Sequence, residues 1–433
     1  MVLQPVNTVS PAGRAVIAAL RDRFQSASDD CRREVNEIID QVSKRGDAAL
    51  VEYTRKFDAP EFHAEQLPVT KTELRKAYNL VDARLRTTLE LAIKRIHDFH
   101  EREKEQSWML TRDGGVITGR LVNPVDTAGL YVPGGQGGST PLVSSVLMNG
   151  IPAGIAGVRR RVMLTPPNAE GRVNPALLVA AREIGIEEIY KVGSAWAVAA
   201  MAYGTVTVPA VDVIVGPGNQ YVTEAKRQVS GRVRIDMLAG PSEVLVVADH
   251  SADPQYVAAD LLAQAEHDPQ ALALCICTDR QVAEKIAIAV AKQLPQLARQ
   301  EIAARSLKDR GALLVAADLN EAIELANQLA AEHLELMVVD PFAWLPKIRH
   351  AGAIFLGQYT PESVGDYLAG PNHVLPTMGT ARFSSALGVD TFVKKTSLVS
   401  YSREAILSDQ ADIERLAHLE GLDGHARAAT IRR

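Results

Sequence analysis

From residue 116 onward, short runs rich in β-branched residues alternate with helical stretches, and Gly or Pro marks each change. This alternation limits the possible folds more than any other feature of the chain. Strands are expected at 129–132, 161–165, 188–192, 211–215, 243–248, 272–278, 312–315, 335–339 and 353–356. Strands separated by whole helices cannot pair as hairpins. They pair in parallel through crossovers, and helices cover both faces of the resulting sheet. The expected class is therefore α/β, doubly wound. The strands fall into two groups, 129–235 and 243–356, and 433 residues exceed the roughly 250–300 that one core usually serves. Two parallel-sheet units, divided near Gly240 and Pro241, satisfy both constraints.

The first hundred residues carry a different period. Val35, Ile38, Ile39 and Val42 recur at spacings of three and four, as do positions through Leu80, Leu85, Leu89, Leu91 and Ile96, so this part reads as helical. After residue 377 the pattern loosens. The stretch 409–433 reads as a terminal helix, a Gly-containing turn at 421–424 and a basic end.

Charge and cysteine content narrow the partners and the compartment. There are 47 basic against 52 acidic residues, a net charge of −5, with no basic stripe to meet a phosphate backbone, so nucleic acid is excluded as an expected partner. Three cysteines cannot form a disulfide framework. Cys275 and Cys277 lie two apart in an apolar run, on one face of a strand, as small buried hydrophobes suited to a reducing cytosol. The first 24 residues lack an unbroken hydrophobic region of signal-peptide type, and no segment approaches the roughly 20 apolar residues that cross a bilayer. The expectation is a cytoplasmic protein with no membrane partner.

Two glycine-rich turns follow expected strands, where backbone can approach a pyrophosphate. One is 131–138, YVPGGQGG; the other is 216–219, GPGN, leading into a helix. Neither has the G-x-G-x-x-G spacing, and Asn219 is also the natural N-cap of the helix that follows.

Gln264 and His267, three apart at the end of a helix, project from one face and form half of a cation site or a surface patch. Further donors would have to come from Asp366, His373 or His425. Oxygen and imidazole donors without thiolate suit zinc or manganese. Asp366 follows the strand 353–356 and is expected on the side of the sheet where ligands gather, whereas His373 reads more simply as a loop hydrogen-bonder. Glu332 and His333 stand where a helix hands over to a strand. Together they offer general-base chemistry near neutral pH, but only if the chain bends there; the alternative is a surface pair at a helix end.

In order along the chain, the segments LYVPGG (130–135), SSVLMN (144–149), IVGPGN (214–219), DMLAGPSE (236–243), DLLAQAEH (260–267), AEHLE (331–335), GDY (365–367), GPNHVLP (370–376) and GTARFSS (379–385) resemble the histidinol dehydrogenase family, from about residue 30 to the end. The resemblance implies NAD- and zinc-dependent four-electron oxidation of histidinol to histidine, the last steps of histidine biosynthesis, through a bound histidinaldehyde. It implies metal ligands at Gln264, His267, Asp366 and His425, one zinc per subunit, and a base pair at Glu332 and His333. Substrate contacts fall on Ser242, Gln264, His267, His333, Asp366, Glu420 and His425, and cofactor contacts on Tyr131 and Asn219. Trp196 stands where many members have Gln, so no hydrogen-bonding role is carried to it.

The implied architecture is two Rossmann-like units in a homodimer whose tails complete the neighbouring sites. Its domains are an arm (1–25), a larger domain carrying metal and base residues (26–130 with 240–380), a cofactor-side domain (131–239) and the tail (381–433). The rival activities are dehydrogenation of another small alcohol, such as a sulfonated diol, and zinc-dependent hydrolysis without a cofactor.

Overall fold

The computed structural model describes residues 3–23, 28–134 and 140–432. The doubly wound α/β expectation holds. Two all-parallel sheets carry the molecule, and a third, small sheet is antiparallel.

The strands, in chain order, are β1 (Pro5–Asn7), β2 (Trp108–Arg112), β3 (Val116–Pro124), β4 (Thr127–Tyr131), β5 (Arg160–Thr165), β6 (Glu188–Lys191), β7 (Val213–Val215), β8 (Arg234–Ile235), β9 (Glu243–Ala248), β10 (Leu272–Cys277), β11 (Ala312–Val315), β12 (His333–Met337), β13 (Ala353–Leu356) and β14 (Val393–Ser400). The five-stranded sheet has the order β6-β5-β4-β7-β8, with its switch point between β4 and β7. The six-stranded sheet has the order β1-β11-β10-β9-β12-β13 and reverses between β9 and β12. β2, β3 and β14 form the antiparallel sheet, which the sequence pattern did not reveal. β14 exposes nearly every position and so carries no alternation to read.

Burial on both faces explains the apolar strand runs. Along β9, Val244 and Val246 join the core beneath the helices Pro254–Ala265 and Arg280–Gln293, while Leu245 and Val247 join the opposite core, under Leu319–Leu329. Cys275 and Cys277 lie side by side in the first of these cores, free and buried as expected.

The packing groups the remaining segments around the two parallel sheets. Helices from 29 to 100 pack with both cores of the five-stranded sheet and not with the six-stranded one: Val35 and Leu50 join Tyr131 and Val162, and Leu74 and Leu89 join Leu130 and Met163. The amphipathic faces of these helices are matched by the sheet that directly follows them in the chain. The N-terminal arm is an integral part of the other unit, since β1 adds to β11 and completes the six-stranded sheet. The tail likewise starts as a full strand against β3 before its helices Arg403–Leu419 and Asp423–Thr430. The strand expected at 335–339 is displaced, because β12 starts at His333. Among the described residues no helix is long and apolar enough to cross a membrane.

Candidate active site

The six-stranded sheet gathers the candidate residues at the amino ends of its strands. The helix Leu319–Leu329 ends at Ala330 in the left-handed region, φ +48°, which turns the chain sharply before it enters β12. This is the bend that lets Glu332 and His333 serve one place. Gly352 closes over them: a Cβ there would lie 2.6 Å from the Glu332 carbonyl oxygen, and the Ala353 N–H donates to that oxygen at 2.8 Å.

Glu332 and His333 are both buried. The Glu243 N–H donates to Glu332 Oε2 at 2.8 Å, and the Glu243 carbonyl lies 2.9 Å from His333 Nδ1. A carbonyl can only accept, so Nδ1 carries the proton and Nε2 is left as the basic nitrogen. Burial lowers the His333 pKa to about 3, so its ring is neutral, and burial raises that of Glu332 well above the usual carboxylate range. The surface-pair alternative is thereby removed.

Around this pair lies the only group among the described residues able to hold a metal through three His, Cys or acidic ligands: His267, Glu362 and Asp366, with ligand atoms within 4.8 Å of one another. The helix Pro254–Ala265, capped by Asp253 and started by Pro254, runs back to the amino edge and delivers Gln264 and His267. Gln264 is fully buried, and its amide nitrogen, oriented to suit its neighbours, donates to both Glu362 carboxylate oxygens at 3.0 and 3.1 Å, leaving the amide oxygen free to ligate. His267 keeps an exposed ring edge, yet enough protein surrounds it to lower its pKa. Burial pushes the Asp366 carboxyl up to about 6.

Asp366 reaches this place by a route the sequence did not suggest. It was expected at the carboxyl edge of the sheet, but the loop after β13 and the helix Glu362–Tyr367 return it to the amino edge, beside His333. A cavity of about 320 Å³ opens there, lined by His333, Phe355, Asp366 and His373 among others. His373 lies in a loop, as expected, with Nδ1 3.7 Å from Asp366 Oδ1. Glu362 was missed altogether, although its spacing of four from Asp366 on one helix face was visible. Ser242 is half-buried directly before β9. Glu420 and His425 are exposed on the tail and stand outside the His267 group within one chain.

The second region is the carboxyl edge of the five-stranded sheet, at its switch point, where dinucleotide ligands usually lie in such folds. Gly216 has φ +116°, and a Cβ on it would sit 2.1 Å from the Tyr131 carbonyl oxygen, so only glycine lets the turns after β4 and β7 touch. The Gly216 N–H donates to Asp236 Oδ2 at 2.8 Å, and Lys226, paired with Asp236, donates to the Gly216 carbonyl at 2.9 Å. Asn219 caps the helix Gln220–Val229 by accepting from Tyr221 and Val222, and its side chain remains exposed. Tyr131 is buried, its hydroxyl accepting from the Ser194 N–H at 3.0 Å. Residues 135–138 of the first glycine-rich turn lie outside the described residues. Trp196 is buried and stacks on Tyr53 and Phe57, so it fills the core.

One segment ties the two regions together. Asp236 holds the Gly216 turn, Thr223 donates to the Ala239 carbonyl at 2.7 Å, and Glu243 holds both Glu332 and His333. Seven residues span at most about 25 Å, which bounds how far apart Asp236 and Glu243 can lie.

Comparison with known proteins agrees with this architecture. The family model described as histidinol dehydrogenase matches residues 21–433. A histidinol dehydrogenase of Desulfotalea psychrophila is 63% identical over 432 residues, covering 100% of both chains. One from Carboxydothermus hydrogenoformans is 50% identical and covers 95% of this chain and 96% of its own. The crystal structure of histidinol dehydrogenase from Elizabethkingia anophelis superposes with a TM-score of 0.92 at 38% identity, covering 100% of this chain and 98% of that one. On this sequence match and shared fold, the chain belongs to the histidinol dehydrogenase family of oxidoreductases.

Proposed function

We propose that this protein oxidises histidinol to histidine in two successive dehydrogenations, with NAD as acceptor and one zinc ion per subunit, as the closing step of histidine biosynthesis in the cytoplasm. The observation that carries the proposal is the commitment of His333 Nδ1 to the Glu243 carbonyl, which leaves a neutral Nε2 at a cavity shared with Asp366 and His373.

The donor chemistry fits zinc. The His267 imidazole and the carboxylates of Glu362 and Asp366 converge without any thiolate, and Gln264, bonded through its amide nitrogen to Glu362, would add its amide oxygen. His425 of the partner subunit would supply the fourth ligand in a homodimer, in keeping with its exposure on the tail and its separation from the group in its own chain. When bound, the ion would orient the substrate by its amino and imidazole nitrogens. The glycine cradle at Gly216, with Tyr131 and Asn219 beside it, fits a dinucleotide, whose nicotinamide would accept the hydrides.

His333 accepts the hydroxyl proton on Nε2 as hydride leaves the alcohol carbon, giving histidinaldehyde. Glu332, as the carboxylate, takes the proton of the water that adds to the aldehyde, while the protonated His333 returns its proton to the aldehyde oxygen and is neutral again. His333 then serves the second dehydrogenation in the same way. Ser242, together with Glu420 of the partner subunit, would hold the substrate in place, and the cavity would keep the aldehyde from bulk solvent.

Purified protein should form NADH from histidinol, lose this activity to a chelator and regain it with zinc. Turnover of histidinol without metal, or hydrolytic activity without NAD, would overturn the proposal.

A further inference from the structure

Behind the base pair stands a contact that no substrate or cofactor would reach. All three polar functions of Glu243 are committed. Its N–H donates to Glu332, its carbonyl accepts from His333, and its carboxylate accepts from Arg23 on both oxygens, Nε at 2.7 Å and Nη2 at 2.8 Å. Both side chains of this ion pair are almost wholly buried, 4% and 1% exposed. Arg23 also donates to the carbonyls of Leu20 at 2.9 Å and Leu329 at 2.7 Å. Leu329 is the last residue of the helix whose left-handed exit leads to Glu332. The guanidinium therefore grips the first residue of β9 and the last residue of the helix that leads into β12, the two places that set the positions of Glu332 and His333.

A buried ion pair gains little net stability, because desolvation offsets most of the attraction; fixing one geometry is the better-attested use. Only a planar fork can hold a carboxylate through two donors while also reaching two carbonyls. We propose that Arg23, on the N-terminal arm, is a positioning residue for the base pair. Through Glu243 and Leu329 it holds the amino ends of β9 and β12 in register, which keeps His333 in the tautomer protonated at Nδ1 and Glu332 on the Glu243 N–H. This inference rests on the assignment of Glu332 and His333 as proton acceptors.

The test uses Arg23→Met and Arg23→Lys in the zinc-loaded enzyme, reading kcat, the KM for histidinol, zinc content, and the ring-nitrogen NMR signals of His333. Arg23→Met should lower kcat by about tenfold or more, with KM and zinc content within about twofold of wild type, and the His333 signals should show a mixture of tautomers. Arg23→Lys, which keeps the charge but not the fork, should recover part of kcat. A fall in thermal stability alone, with kcat and the His333 signals unchanged, would overturn the proposal. If Arg23→Met does not fold, wild-type kcat and signals in Arg23→Lys would overturn it equally. If the wild-type enzyme proves inactive on histidinol, the functional assignment fails, while the ring signals still decide the positioning role.

Discussion

His333 Nδ1 lies 3.8 Å from Glu332 Oε2, although successive side chains of an extended strand point to opposite faces. The left-handed turn at Ala330 and the shared hold of the Glu243 backbone bring the two together. An imidazole with a free Nε2 and a buried carboxyl beside it would supply the two separate proton acceptors that the proposed double oxidation needs.

Removing either base should therefore cost turnover without emptying the site. His333→Asn and Glu332→Gln are each expected to lower kcat by roughly 10²–10⁴-fold. Zinc content measured on the same preparations should stay near that of wild type. Loss of zinc in parallel with kcat would contradict separate roles for the base pair and the metal ligands.

Gly216 should not tolerate a side chain. Its φ of +116° and the 2.1 Å approach to the Tyr131 carbonyl lead Gly216→Ala to lose about 1–3 kcal/mol, read from the denaturation midpoint. By displacing the turn after β7, it should also weaken NAD binding about tenfold or more in a calorimetric titration. Wild-type stability and affinity in this variant would show that the two turns do not depend on each other.

Zinc affinity should depend on pH through Asp366. Burial pushes its carboxyl up to about 6 and holds His267 below its ordinary value. As pH falls through about 6, a proton competes with the cation at Asp366 while His267 stays unprotonated, so apparent affinity should fall about tenfold per pH unit. An ordinary carboxylate would delay this loss to about pH 4. Competition against a chromophoric chelator gives the slope directly. Asp366→Asn should bind zinc weakly and lose the pH dependence in this window.

If His425 acts across a dimer, two inactive variants should restore each other. His333→Asn spoils the body of a site, and His425→Asn spoils the tail. In a mixed dimer one site receives a sound body and a sound tail, so random reassociation should recover about one quarter of wild-type activity. No recovery, with mixed dimers demonstrated by mass, would place His425 outside the neighbouring site.

The fold was legible because strand runs and helical periods alternate along most of the chain, and the pairing of Gln264 with His267 because they stand three apart at the end of the helix Pro254–Ala265. What escaped was set by distant packing. Three residues, Pro5–Asn7, give no periodic signal yet complete a sheet, and the exposed β14 has no apolar alternation. Asp366 was assigned to the wrong edge because a single short helix reverses the direction of the chain. Glu243 looks like any first residue of a strand; its part in the site arises from backbone groups, which carry no sequence signature.

Two oxidations within one enclosed site would leave a stoichiometric signature. The most direct test counts the NADH formed per histidinol consumed, with the product identified. The account predicts two NADH and histidine, both lost when zinc is removed. One NADH per histidinol, with free histidinaldehyde in solution, would contradict it.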